Sequence, residues 1–168
     1  MRKLRSILFA LLLLPAISSC GIYSFSGTSI QADVKSIAVE YFTNKALRVN
    51  PSLANNLTDA LIEKYRKLTK LDILDEDGDM NVYGEITGYD IQATAITAEE
   101  VASKNRLTVT VKLTFNNKLH SEEDFEKSFS AFADYDSENS LDAVEESICE
   151  EIIEKLVDDI FNATVANW

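Results

Sequence analysis

The alternation of apolar and polar positions divides this chain into strands and helices before any other property is considered. Ile37, Val39 and Tyr41 alternate with Ala38, Glu40 and Phe42 within Val34 to Phe42, the period of two that marks a strand. Thr43 to Val49 reads as a polar loop. Asn50-Pro51 then supplies an N-cap and a first-turn proline for a helix running to Lys67. Leu53, Leu57, Leu61 and Leu68 share one face of it, with Ala54, Ala60 and Tyr65 at the margins and Glu63 spaced to pair with Lys67. Leu71, Ile73 and Leu74 predict a short second strand, and the acidic run Asp75 to Asp79 predicts a hairpin turn leading into a long strand over Met80 to Thr97. Within that strand Met80, Val82 and Ile86 share a face with Gly84 and Gly88. The apolar parity then shifts to Tyr89, Ile91, Ala93 and Ala95, a sign of a bulge or bend.

After a polar connection from Ala98 to Asn105, the alternation is cleanest over Arg106 to Phe115. Leu107, Val109, Val111, Leu113 and Phe115 face one way; Thr108, Thr110, Lys112 and Thr114 face the other. One covered and one polar side favour antiparallel pairing. A turn at Asn116 to Glu123 precedes a last strand, in which Phe125, Phe129, Ala131, Ala133 and Tyr135 are in phase. Ser140 caps a closing helix to Thr164. Val144, Ile148, Ile152, Leu156 and Ile160 form one stripe, Cys149, Ile153, Val157 and Phe161 the next, and Glu146, Glu150, Glu154 and Asp158 the opposite face. Trp168 is expected to fold back as an anchor. The order predicts an α+β two-layer sandwich, with two helices packed on one face of a mainly antiparallel sheet of four to five strands.

The first residues change the picture. Arg2, Lys3 and Arg5 precede an apolar run from Ile7 to Leu14, then Pro15 and Ala16-Ile17-Ser18-Ser19-Cys20. A charged start, a short apolar middle and small residues before a cut site mark a secretory signal, and the run is too short to span a bilayer, which takes about 20 residues. Cysteine directly after Ile-Ser-Ser resembles the lipobox of bacterial lipoproteins. The resemblance implies cleavage before Cys20, diacylation of its thiol, and usually acylation of the new amino end. The organisation is therefore a lipoprotein signal peptide at 1–19, a lipidated tether at 20–33 with Tyr23 and Phe25 as docking aromatics, and a single domain at 34–168.

Removing residues 1–19 leaves 149 residues, enough for one domain that buries about 70% of its unfolded surface. The removed segment carries three cations and no acids, so the net charge moves from −12 to −15. Such a chain repels nucleic acid and anionic headgroups. With Cys20 acylated, Cys149 has no disulfide partner and reads as a small core hydrophobe.

The residues offer little chemistry. His120 is the one histidine and lies in a polar turn, so neither a Cys–His pair nor a histidine metal set is expected. Asp75, Asp77 and Asp79 stand at positions one, three and five of a calcium loop, but Met80 and Ile86 occupy its sixth and twelfth positions, where glycine and glutamate are needed. No G-x-S-x-G or S-x-x-K motif and no phosphate-cradling glycine loop occurs. Binding or assembly is expected rather than catalysis, with no cofactor and no metal.

Several stretches together resemble the LptE family: Cys20-Gly21-Ile22-Tyr23 with Phe25 and Gly27, Ile37-Ala38-Val39 with Phe42-Thr43-Asn44, the helix with Leu53, Leu57 and Leu61, Gly84 to Tyr89, Asn105 to Val111, Phe132-Ala133, and Asp158 to Phe161. The combination is most similar to the branch found in Bacteroidota. The resemblance implies an outer-membrane lipoprotein that plugs the LptD β-barrel, assists its assembly and supports lipopolysaccharide delivery to the cell surface. It implies Cys20 as lipid anchor; Gly21 in place of an inner-membrane retention aspartate is consistent with the outer membrane. Asn44, Lys45 and Arg48, in the loop after the first strand, are the candidate partner-binding residues. Lipopolysaccharide itself is a possible ligand in this family through basic residues. The acidic balance here opposes that chemistry, and Lys64, Arg66, Lys67 and Lys70 read as a solvated face. The alternative reading is an anchored periplasmic module that regulates a cell-wall synthase, and a carboxylate-dependent hydrolase is the third. Stable association with a barrel protein separates the first two.

Overall fold

The computed structural model describes residues 29–48, 50–94 and 104–165. The expected signal peptide, Cys20, Tyr23, Phe25, the expected Ala95–Thr97 end of the long strand, most of the expected Ala98–Asn105 connection and Trp168 lie outside them. In chain order the elements are β1 (Ser36–Val39), β2 (Thr43–Asn44), α1 (Leu53–Leu68), β3 (Asp72–Leu74), β4 (Met80–Thr94), β5 (Lys104–Asn117), a 3₁₀ turn (Ser121–Glu123), β6 (Phe125–Asp136) and α2 (Leu141–Val165). The α+β sandwich is as expected, with both helices on one side. The sheet has six strands rather than four or five, in the order β3-β1-β4-β5-β6, with β2 continuing alongside β4. It is mixed: β1 pairs in parallel with β3 and β4, as β2 does with β4, and only β4–β5 and β5–β6 are antiparallel.

The parallel pairings overturn the hairpin expected at Asp75–Asp79. β3 and β4 both lie against β1, one on each side, so the loop between them crosses over β1 instead of turning back beside it. Gly78 makes the crossing: a Cβ there would stand 2.6 Å from the Ala38 nitrogen and 2.9 Å from the Ile37 carbonyl carbon. Asp77 takes the left-handed turn at φ 61°, a region aspartate tolerates better than most residues. Asp79 then pins β1, its carboxylate accepting the backbone N–H of Lys35 at 2.8 Å and of Ser36 at 3.1 Å. These bonds, that from Lys35 foremost, hold its carboxyl below the usual range. The acidic run is a structural pin.

The first strand also departs from a single alternation. β1 ends at Val39, and the chain steps so that Phe42 is fully buried while Tyr41 is 55% exposed. Gly84 permits this inward step, since a Cβ there would stand 3.0 Å from the Phe42 ring. In β4 the parity shift is a bulge between Ile86 and Gly88, which brings both Ile86 and Tyr89 to the helix side. β5 and β6 alternate as read, with Leu107 to Phe115 and Phe129 to Tyr135 buried on the odd positions.

The first helix begins later than expected. Asn50 is not its cap: the Asn50 side-chain oxygen accepts the Ser52 backbone N–H at 3.0 Å, forming a turn ahead of the helix, and Ser52 stands at the cap. Tyr65, read as marginal, lies in the centre of the buried face, whereas Leu68 is 49% exposed. The two helices lock where the Tyr65 and Phe161 rings meet at 5.5 Å and the Tyr65 hydroxyl meets Thr164 Oγ1 at 2.7 Å. Both predicted stripes of α2 lie on the core, with only Val144 half-buried.

Candidate functional surface

Two surfaces stand out from the folded core: the loop after β2 and the bare face of the sheet. The loop carries Lys45 and Arg48 of the three residues singled out from the sequence, while Asn44, expected in the loop, ends β2 at its root because it pairs with Ile86 of β4. Asn44 shapes it, its side chain accepting the Ala46 N–H at 3.1 Å and donating to the Asn50 carbonyl at 3.5 Å. Lys45 ties it to β4 by donating its N–H to the Ile86 carbonyl at 2.8 Å. Ala46 tucks in, while Lys45, Leu47 and Arg48 are exposed. Leu47 is fully exposed, the most exposed large apolar side chain among the described residues, and the sequence reading missed it. Its signal was a lone leucine set between cations in an otherwise polar loop.

The second surface is the sheet face turned away from the helices. Across it run Tyr83, Glu85, Gly88 and Asp90 of β4, Arg106, Thr108, Thr110 and Lys112 of β5, and Glu126, Ser128, Ser130, Phe132 and Asp134 of β6. Arg106 holds Asp134 in a two-pronged pair at 2.7 and 2.9 Å, with its guanidinium 3.7 Å from the Phe132 ring centre. Lys155 of α2 reaches around the sheet edge to the Phe132 carbonyl at 2.8 Å. This contact occupies part of an edge strand that would otherwise offer itself for pairing.

Other clusters resolve into structure. Cys149 is buried, and Asn50 Nδ2 and the Tyr89 hydroxyl each approach its sulfur at 3.8 Å. Burial raises its pKa, and Tyr89, which bonds Glu145, is raised for the same leading reason. A buried, protonated thiol is an inert core group. His120 bonds Asp33 through Nε2 at 3.0 Å, a contact that raises the imidazole pKa and lowers that of Asp33. With Gln31 bonded to Glu123, and Ser29 donating to the Val165 carbonyl at 2.8 Å, it ties residues 29–33 to the domain. In the basic group, Lys64 pairs with Asp158 at 2.6 Å, while Arg66 and Lys67 pair with Glu63. Local carboxylates thus partner three of its four cations. Among the described residues no group of three or more His, Cys, Asp or Glu is placed to hold a metal, and no helix is long and apolar enough to cross a membrane.

The described residues thus form a two-layer domain with a projecting loop and an open, mainly polar sheet face. The LptE family model, described as lipopolysaccharide-assembly, matches residues 34–164, and the chain belongs to that family. The family is one of lipopolysaccharide-assembly lipoproteins, not of enzymes. No curated protein matches the sequence. Among solved structures, a neuraminyllactose-binding hemagglutinin homolog from Helicobacter pylori is similar, with a TM-score of 0.50 at 9% identity over 76% of this chain and 84% of that one. Rare lipoprotein B from Shewanella oneidensis matches with a TM-score of 0.44 at 12% identity, over 74% of this chain and 89% of that one. A minor lipoprotein from Acinetobacter baumannii has the same TM-score at 10% identity, over 73% and 87%. At such identities the likeness concerns the fold alone.

Proposed function

We propose that this chain is an outer-membrane lipoprotein that plugs and helps assemble the LptD β-barrel during transport of lipopolysaccharide to the cell surface. The observation that carries the reading is the LptE family match over residues 34–164. In this reading the signal peptide ends at Ser19, Cys20 carries the acyl chains, residues 20–33 form the tether, and 34–168 form the domain. Two or more acyl chains hold far more firmly than one, whose binding is marginal. The polar sheet face suits a wet barrel lumen, which is lined by polar side chains. The loop after β2 makes the barrel contact: Asn44 sets its shape, and Lys45, Leu47 and Arg48 reach outward. Lipopolysaccharide is handled by the assembly as a whole, since the basic group on α1 is largely paired within the domain.

The test is purification of the lipidated protein from native membranes in mild detergent, with mass spectrometry of what accompanies it. A large outer-membrane barrel recovered in equal amount is expected, and Leu47→Asp lowers that recovery without altering thermal stability. Recovery of a cell-wall synthase, or of no partner, overturns the reading. Cys20→Ser is expected to release the protein from the membrane fraction.

A further inference from the structure

On the bare face of the sheet, where β1 gives way to β2, there is an open depression of about 350 Å³ lined by Glu40, Tyr41, Thr43, Tyr83, Glu85 and Lys112, with Gly84, Thr114 and Glu126 completing it. It exists because the chain breaks step there. Phe42 turns into the core over Gly84, and Tyr41 is thrown outward instead. Tyr41 is 55% exposed and Tyr83 37%, two aromatic rings in an otherwise polar or glycine lining. Tyr83 is held in place by its hydroxyl, which donates to Asn116 Oδ1 at 3.0 Å.

The charge of the depression is one-sided. Lys112, its one cation, is paired with Glu126 at 2.8 Å, and that bond foremost, with the charge of Glu85 adding to it, raises the lysine pKa. Glu40 and Glu85 have no ion-pair partner among the described residues. Exposed aromatic faces with carboxylates in excess of the one cation beside them attract a further cation through the ring quadrupole and the carboxylate oxygens together. The planar guanidinium of arginine satisfies both at once. The net charge of the chain, −12, adds long-range attraction for a basic partner.

The geometry points to a pocket for an arginine side chain presented by a partner polypeptide, held between Tyr41 and Tyr83 and against Glu40 and Glu85. The inference goes beyond the barrel-plug reading, because it specifies the recognised side chain whichever protein presents it, and its test uses no barrel.

The test is an NMR titration of the full chain in mild detergent with its tyrosine rings isotopically labelled. The probe is the capped pentapeptide Gly-Ser-Arg-Ser-Gly; the control replaces arginine with citrulline, which has nearly the same shape and no charge. Saturable shifts of the Tyr41 and Tyr83 resonances are expected with the arginine peptide, and binding about tenfold weaker with the citrulline peptide and at high salt. The pair Glu40→Gln and Glu85→Gln, both at sites outside the core, is expected to keep the native melting curve and to weaken binding to the citrulline level. Equal binding of both peptides overturns the proposal, as do shifts that fail to saturate and unchanged binding by the glutamine variant. Saturation by a methyl glucoside below the peptide concentration overturns it in favour of a saccharide pocket. Loss of barrel co-purification with peptide binding intact would refute the plug reading alone.

Discussion

The Tyr65–Thr164 contact between the two helices makes an asymmetric prediction. Tyr65 is fully buried, and its hydroxyl lies 2.7 Å from Thr164 Oγ1. Thr164 also donates to the Ile160 carbonyl at 2.9 Å, which leaves the Tyr65 hydroxyl as donor in the shared bond. Tyr65→Phe removes that donor, but the threonine proton keeps its own acceptor, so the change costs one net hydrogen bond, about 1 kcal/mol. Thr164→Val does more damage at nearly the same volume. It leaves a phenolic O–H fully buried with no acceptor, which costs about 2 kcal/mol. For a domain of this size those values lower Tm by about 3 and 6 °C. The double variant removes both partners and is expected to lie near the Tyr65→Phe value, with a coupling of about 2 kcal/mol. Urea unfolding followed by far-UV circular dichroism measures all three, with the slope m unchanged. A Thr164→Val loss no larger than that of Tyr65→Phe, or strict additivity in the double variant, would refute the donor assignment and the burial argument together.

Other outcomes follow from the same geometry. Ile152, at the centre of α2 and fully buried, is expected to cost about 3 kcal/mol on replacement by alanine, read as a lower urea midpoint. The carboxyl of Asp79 titrates below its ordinary range in the folded protein, so the stability it contributes is present above the unfolded value and lost as pH falls through the folded one. Asp79→Asn is expected to flatten the acid limb of a stability–pH curve, and an unchanged limb would exclude the pin described for β1. The imidazole of His120 titrates above its ordinary value, so its contact with Asp33 stabilises below pH 6.5 and is lost as pH rises through the folded value. Asp33→Asn should bring the NMR titration midpoint of His120 down toward 6.5; no change would show that Asp33 is not the partner in solution.

How much of the site was legible follows from the range of the forces that shape it. Asn44, Lys45 and Arg48 were visible as a polar loop, because such a run between a strand and a helix has few other places to go. That Asn44 turns its side chain back on the loop, and that Leu47 points away from the core, depended on how the loop joins β4. The Tyr41–Tyr83 depression was hidden, because Tyr41 continues the alternation of Ile37 and Val39 in sequence and reverses it in space.

The local alternation of this sequence determined both helices and every strand but β2, the polar and apolar sides of β5 and β6, both core stripes of α2 and the bulge near Gly88. Each is set by neighbours two to four residues apart, the distance over which side-chain periodicity acts. Tertiary structure alone decided that β3 and β4 flank β1 in parallel, that Tyr65 rather than Leu68 is central to the helix interface, and that Phe42 displaces Tyr41. Strand order and parallel pairing arise from contacts between distant segments, and a five-residue acidic loop has the same composition whether it turns back or crosses a neighbouring strand. The placement of β3 and β4 on opposite sides of β1, with Gly78 close against the backbone of Ile37 and Ala38, distinguishes the two.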